Sequence, residues 1–244
     1  MSKGKRVRLA CDLPDSDLAL ALSTAERPDL LRSLVETSRD AFGFFPNHYP
    51  DTISYPWITE RLESLPPAAR ILDIGAGVSP MAVWLAKRGC FVETVDSHQV
   101  VRSLPATDDW TGWGFLNYHQ LHQNITSHHC EIEKFEPARN FDAIYSACVL
   151  MLLTRKALET ALRNCREWLR YGGSLLLTID LVPFSDFLWN RAEGREVEPL
   201  LRHGTIFDLM HQLKTVNIRI DQLEVVRAIK NSRTDLLLVS GTAV

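Results

Sequence analysis

Two acids and two glycines define the chemistry for which this chain is equipped. Asp73, Gly75 and Gly77 lie in Arg70-Ile-Leu-Asp-Ile-Gly-Ala-Gly-Val-Ser-Pro-Met81, and Asp96 closes Cys90-Phe-Val-Glu-Thr-Val-Asp96. Ile71, Leu72 and Ile74 form a short apolar run suited to a buried parallel strand. The glycines let the chain turn sharply and bring bare backbone close to a ligand. Ser79 is placed to cap a following helix, with Pro80 at its first position and Gly89 as its stop. A second strand over residues 90–95 then carries Asp96 to the carboxyl edge of the sheet, where open α/β sheets bind ligands. A dinucleotide site requires G-x-G-x-x-G, with the pyrophosphate on a helix N-terminus. Here the third glycine position is Pro80, which lacks an N–H, and Asp73 stands just before the turn. That carboxylate repels a pyrophosphate and suits a cationic ligand with an amino group. Asp96 suits a ribose, whose two hydroxyls it can accept.

An amino group, a positive sulfur and a ribose together describe S-adenosylmethionine (SAM). At this point the chain resembles the class I SAM-dependent methyltransferases over roughly residues 70–180. Their first motif, acid-x-Gly-x-Gly-x-Gly, is matched by Asp73-Ile-Gly75-Ala-Gly77-Val-Ser79, with serine in place of the third glycine. Asp96 corresponds to the ribose acid. Ile125 to Phe135 is similar to the third strand and the loop whose acid meets the adenine amino group. Glu131 fits that acid best, with Glu133 as the alternative, and Ile132 would supply a backbone N–H. Phe141 to Met151 resembles the fourth strand, Leu158 to Leu169 the next helix, Tyr171-Gly172-Gly173 its stop, and Ser174 to Leu181 the fifth strand. The resemblance implies that Asp73, Gly75, Ala76, Gly77, Asp96, Ser97, His98, Glu131, Ile132 and Ser146 hold SAM, with S-adenosylhomocysteine as product. It also implies a three-layer α/β/α Rossmann-like fold around a mostly parallel seven-stranded sheet. Residues 224–229 and 234–240 would be its last two strands, the final one inserted antiparallel between its neighbours.

Composition bounds the rest. The 244 residues suit one domain with an appended cap, and the hydrophobic and charged fractions (45% and 23%) are those of a globular protein. A net charge of −3 argues against a broad nucleic-acid surface. Five scattered cysteines, none in C-x-x-C, point to reduced thiols in a cytoplasm. The basic start lacks a following apolar run, so no signal peptide is expected, and no segment approaches the ~20 apolar residues of a membrane span. The expected partner is a small molecule, and the chain is expected to act as a monomer or homodimer.

Residues 1–66 read as an N-terminal helical cap and 67–244 as the SAM-binding core. Helices are expected over 18–22, 28–42 and 53–65, the second from the spacing of Leu30, Leu31, Leu34, Val35, Ser38 and Phe42. Two inserts, 105–124 and 182–204, exceed what the core needs, and long connections of this kind are often lids or binding loops. The first carries Trp110, Trp113, Phe115 and Tyr118; the second carries Phe184, Arg191, Glu193 and Arg195. Arg191 and Arg195 suit an anionic group on an acceptor, although solvated faces hold most such charges. The aromatic residues are as readily core as pocket.

Residues that would choose an acceptor are thinly signalled. The stretch after the fourth strand, Ser146 to Leu153, lacks the Glu-His pair of many relatives, and no Asn-Pro-Pro-type motif is present. A catalytic base is therefore unidentified; Tyr55, His48, His203 and Glu193 qualify by type and location only. His119, His122, His128 and His129 do not form a convincing ligand set, so no metal is expected. The function expected is methyl transfer to the oxygen, nitrogen or carbon of a small molecule. The alternatives are an enzyme acting on RNA or protein, or a SAM-fold protein that no longer methylates.

Overall fold

The computed structural model describes residues 9–98, 104, 106, 114–115, 117–192 and 194–244. Three helices come first: α1 (Asp15–Thr24), α2 (Pro28–Phe42) and α3 (Asp51–Leu62). Then β1 (Arg70–Ile74), α4 (Met81–Lys87) and β2 (Phe91–Asp96) form the first βαβ unit. A short α5 (Tyr118–Leu121) leads into β3 (Ile125–His129), followed by β4 (Phe141–Ala147), α6 (Arg155–Trp168) and β5 (Leu169–Leu181). A two-residue hairpin, β6 (Arg191–Ala192) and β7 (Arg195–Glu196), precedes α7 (Leu200–His203), α8 (Ile206–Thr215), β8 (Ile218–Val226) and β9 (Asp235–Ala243).

Seven strands make one sheet in the order β3-β2-β1-β4-β5-β9-β8. The first five are parallel, and β9 runs antiparallel between β5 and β8. The reversal of strand order lies between β1 and β4, so the carboxyl ends of these strands flank the crevice that such sheets use for ligands. The expected fold class is therefore present, including the antiparallel insertion.

Side-chain alternation divides the core into two layers. Ile71, Ala143, Tyr145, Leu176, Leu236 and Leu238 face α2, α3 and α4. Leu72, Ile74, Ile144, Leu175, Leu177, Leu237 and Val239 face α6 and α8. The N-terminal helices share the first of these cores, through Leu31, Leu34, Phe42 and Ile58. Trp84 Nε1 also donates to Ser33 Oγ, tying α4 to α2. Helix α2 ends where Gly43 takes φ +92°, a left-handed cap that any side chain would strain.

Several boundaries differ from those read off the sequence. Helix α4 starts at Met81 with Pro80 as its cap residue, and Ser79 Oγ accepts the Met81 N–H. Helix α6 begins at Arg155, capped by Thr154, three residues before the apolar pattern announces it. The Tyr171-Gly172-Gly173 segment does not stop that helix. Leu169 already pairs with Phe141, and the register then jumps to Ala143↔Ser174, so these residues bulge within β5 with Gly172 at φ +76°. The first helix is longer than expected, and β8 begins six residues earlier, at Ile218. Part of the 105–124 insert, including Trp110 and Trp113, lies outside the described residues, as does Glu193.

Because α2 is built into the core, Leu34→Ala should cost about 2–5 kcal/mol, the range for a large-to-small change at a fully buried site. Urea unfolding measures this; a loss below about 1 kcal/mol would show that α2 packs loosely.

Candidate SAM site and the polar cluster beside it

Gly75 follows β1 directly, and its backbone (φ +73°) and that of Gly77 (φ +50°) occupy the left-handed region that glycine tolerates. A Cβ on Gly75 would lie 2.4 and 2.6 Å from the Val149 γ-carbons. The residue after Cys148 therefore comes down on the turn itself. Asp96, at the end of β2, accepts the Gly77 N–H at 2.8 Å and the His98 N–H at 2.7 Å. These bonds fix the carboxylate over the turn, while each of its oxygens retains a further lone pair. Tyr118, expected only as an insert aromatic, lies fully buried across the loop, its hydroxyl 3.0 Å from the Gly77 carbonyl and 3.1 Å from that of Ser79. It packs edge-on against Phe42 and Phe115.

Asp73 is only 1% exposed, and its one side-chain hydrogen bond comes from Tyr145 Oη at 2.7 Å. Burial pushes its carboxyl up to about 8, the Tyr145 bond pulls it down, and the charge of Asp96 pushes it up again. Among the described residues no lysine or arginine pairs with Asp73 or Asp96. The acids and glycines expected at the SAM site are thus brought together as one constellation.

The remaining expected contacts sit around it differently. Ala76 is buried in the turn. Ser97 is exposed, its carbonyl facing His129 Nε2 at 3.0 Å, and His98 lies beside Asp96. Glu131 follows β3 and is largely exposed, ion-paired with Lys134, while Ile132 is buried and opens a short 3-10 turn. The Ser146 hydroxyl is committed to the Ile74 carbonyl at 2.9 Å, which ties β4 to β1 and leaves only its backbone for a ligand. His128 meets Glu93 at 3.0 Å on the sheet. The four histidines from His119 to His129 are not gathered to one point by any of these contacts.

A second polar group stands at the ends of β4 and β5. The segment after α2 is pinned by Phe45 N–H to Asp12 Oδ1, and it turns so that His48 and Asp51 face one another. His48 Nδ1 lies 2.9 Å from Asp51 Oδ1, and Nε2 lies 3.6 Å from Asp180 Oδ2. Cys148 occupies φ +54° just past β4, its thiol 3.5 Å from Thr178 Oγ1 and 3.6 Å from Ser54 Oγ. Ligand atoms of His48, Asp51 and Cys148 all lie within 4.8 Å of one another. Burial alone would lower the His48 pKa, but Asp51 and Asp180 together hold it well above the usual histidine value. Burial, with the same two acids, raises the Cys148 thiol strongly, so it stays protonated. Tyr55 is buried beside Asp51, and both burial and that charge raise its hydroxyl.

Of the sequence candidates for a base, His48 and Tyr55 therefore belong to one cluster. His203 is buried elsewhere, with Glu198 as its partner at 3.3 Å. Asp51, Asp180 and Cys148 were not legible as site residues. The available signal was Asp180, an acid inside the apolar run Leu175-Leu-Leu-Thr-Ile-Asp-Leu181, where an unpaired carboxylate is costly to bury.

Residues 71–173 match the family model of a methyltransferase domain. Over those residues the chain is similar to methyltransferase domains, and its fold is that of SAM-dependent methyltransferases. Solved structures share its fold at low identity. A TehB-like SAM-dependent methyltransferase from Corynebacterium glutamicum aligns over 93% of this chain and 99% of its own, at 18% identity and TM-score 0.53. The glycopeptide N-methyltransferase MtfA in complex with SAM aligns over 77% and 92%, at 13% and 0.52. Phosphoethanolamine N-methyltransferase 2 of Haemonchus contortus aligns over 76% of this chain and 51% of its own, at 15% and 0.53. None of the curated proteins compared matches this chain.

The buried acid Asp73 makes the stability of the protein pH-dependent. The folded state holds the Asp73 proton up to about pH 8, whereas an unfolded aspartate loses it near 3.8. The folded state binds more protons between these values, so this contribution is complete below about pH 4 and is lost as pH rises through 8. Urea midpoints measured from pH 5 to 9 should fall more steeply for wild type than for Asp73→Asn; parallel curves would show that Asp73 is ionised at rest.

Proposed function

We propose that the protein transfers the methyl group of SAM to a small-molecule acceptor. The observation that carries this reading is the pair of buried acids around a bare glycine turn at the strand-order reversal. Asp73 is a buried acid that no lysine or arginine pairs with among the described residues, which fits the amino group of SAM. Asp96 sits where a ribose would lie, with free lone pairs directed past Gly77 and His98. Gly75, Ala76 and Gly77 offer backbone, Ser97 and His98 the ribose side, and Glu131 and Ile132 the adenine side, with Ser146 contributing its main chain. SAM, when bound, supplies a methyl group activated by its sulfonium. What remains for the protein is to bind it, to exclude water and to hold a nucleophile against the methyl carbon.

Small-molecule transfer is supported by the enclosure of the carboxyl edge. Helices α2 and α3 and the aromatic set Phe42, Phe115 and Tyr118 cover it, which suits a compact acceptor better than a polymer. The structural neighbours named for glycopeptide and phosphoethanolamine methylation are compatible with that class. Five unpaired cysteines support a reducing, cytoplasmic setting, and among the described residues no helix is long and apolar enough to cross a membrane.

Asp96→Ala removes the acceptor of the ribose hydroxyls and should weaken S-adenosylhomocysteine binding by about 1.5–3 kcal/mol, roughly tenfold to a hundredfold. Isothermal calorimetry tests it. Unchanged affinity, or tight NAD binding without SAM binding, would overturn the reading.

A further inference from the structure

The cluster of His48, Asp51, Cys148 and Asp180 stands outside the SAM constellation but is joined to it by one peptide link. Cys148 lies in the cluster, and the next residue, Val149, touches the Gly75 turn. Both strands that carry it, β4 and β5, end at the edge where the cofactor turn lies. On β5, Leu176, Thr178 and Asp180 share the face turned toward α3, so strand alternation itself delivers Asp180 to His48. Asp180 is fixed from its other side by Thr234 Oγ1, 3.1 Å from Oδ1.

Two features of this group point to a ligand. The first is charge. Two buried carboxylates face a single imidazole, and among the described residues no lysine or arginine pairs with either acid. With His48 protonated the cluster carries −1, and with it neutral, −2. An anionic acceptor, such as a carboxylate, phosphate or phenolate, would be repelled, whereas a cation would be drawn in. The second is geometry. The 2.9 Å contact between Nδ1 and Asp51 fixes the ring and turns Nε2 toward Asp180, so the ring held protonated by the two acids exposes its Nε2 edge to an incoming group. Nε2 and Asp180 Oδ2, 3.6 Å apart, are in ion-pair range but farther apart than a hydrogen bond, which leaves each able to bond a third group. His48 is the open member of the group, with 34% of its side chain exposed against 7% for Asp51 and 8% for Asp180.

We infer that this cluster is the acceptor site, that its acceptor is an amine which enters as an ammonium ion beside Asp180 and drives the Nε2 proton of His48 out to solvent, and that the neutral imidazole then removes a proton from the ammonium. The inference rests on the proposed methyl transfer and names its substrate class. The steps balance. The ammonium N–H bond breaks and its proton passes to Nε2, leaving a neutral amine and an imidazolium stabilised by Asp51. The nitrogen lone pair then forms the C–N bond to the methyl carbon as the carbon–sulfur bond breaks. Products are a methylammonium and neutral S-adenosylhomocysteine, the proton displaced on amine entry stays in solvent, and His48 ends as the imidazolium from which it began. An ammonium has no lone pair, so removal of that proton is obligatory, which gives His48 a role that methylation of a thiolate would not require. Asp180 binds the cation and does not take part in the bond changes. Asp51 is a positioning residue acting through His48, in the manner of a triad acid.

The test uses the full-length protein with methyl-labelled SAM, and an acceptor series matched except for the nucleophile: phenethylamine, 2-phenylethanol and tyramine, which offers both an amine and a phenol. Mass spectrometry locates the label. Nitrogen methylation of phenethylamine and tyramine, with 2-phenylethanol and the tyramine phenol untouched, is expected. His48→Gln should lower kcat about a hundredfold or more. Asp180→Asn should raise the amine KM about tenfold to a hundredfold, as expected for loss of a charge-assisted hydrogen bond. Asp51→Asn should lower kcat without raising KM. All three should melt cooperatively and keep wild-type affinity for S-adenosylhomocysteine. Label on oxygen or carbon, or no labelled amine from a protein that binds SAM, would overturn the inference alone; failure to bind SAM would overturn the methyl-transfer reading beneath it. Stoichiometric divalent metal that is lost in His48→Gln, with activity abolished by EDTA, would also overturn it, because the same donor atoms would then be metal ligands.

Discussion

Two acids at the ends of adjacent parallel strands face each other's field inside the protein, and among the described residues no lysine or arginine pairs with either. Asp96 is stabilised by two backbone N–H groups; Asp73 has only the Tyr145 hydroxyl and keeps its proton to about pH 8. A charge in that position is costly unless it is paired. The arrangement is therefore incomplete in energetic terms until a cation arrives, and the surrounding structure serves to maintain it. β1 and β2 set the spacing of the acids, Gly75 and Gly77 keep side chains away from the ligand's path, and Tyr118 closes the loop from above.

The N-terminal helices contribute more than a cover. They complete the core on one face of the sheet, and they deliver His48 and Asp51 to the ends of β4 and β5. The same packing that stabilises the fold thus brings a histidine from residue 48 within reach of an acid at residue 180. Such a coupling makes acceptor chemistry sensitive to changes in α2 and α3 that touch no ligand. It also separates the two halves of the site by origin. The proposed cofactor half comes from a contiguous βαβ unit, whereas the proposed acceptor half is assembled from distant segments.

That difference explains what was legible in the sequence. The strand, glycine turn and second acid between Arg70 and Asp96 are local, and their order fixed both the fold class and the SAM constellation. Strands of buried apolar residues were legible for the same reason. Boundaries failed where local signals competed with pairing: Gly172 and Gly173 read as a helix stop but form a bulge, because Leu169 already pairs with Phe141. Thr154 capped α6 before the apolar stripe began. The role of Ser146 was obscured because its hydroxyl serves a neighbouring strand. The His48–Asp51–Asp180 group was invisible because no spacing along the chain encodes a contact made across 132 residues; only the charge of Asp180 within an apolar strand hinted at it.

The central claim is that SAM completes this site by supplying the cation that Asp73 lacks. Calorimetric titration of SAM at pH 7, repeated in buffers of different ionisation enthalpy, measures the protons exchanged on binding. The account predicts tight binding with release of close to one proton, as the ligand's ammonium drives Asp73 to ionise, and loss of that release in Asp73→Asn. Binding that exchanges no protons, with an unchanged result in Asp73→Asn, would contradict it.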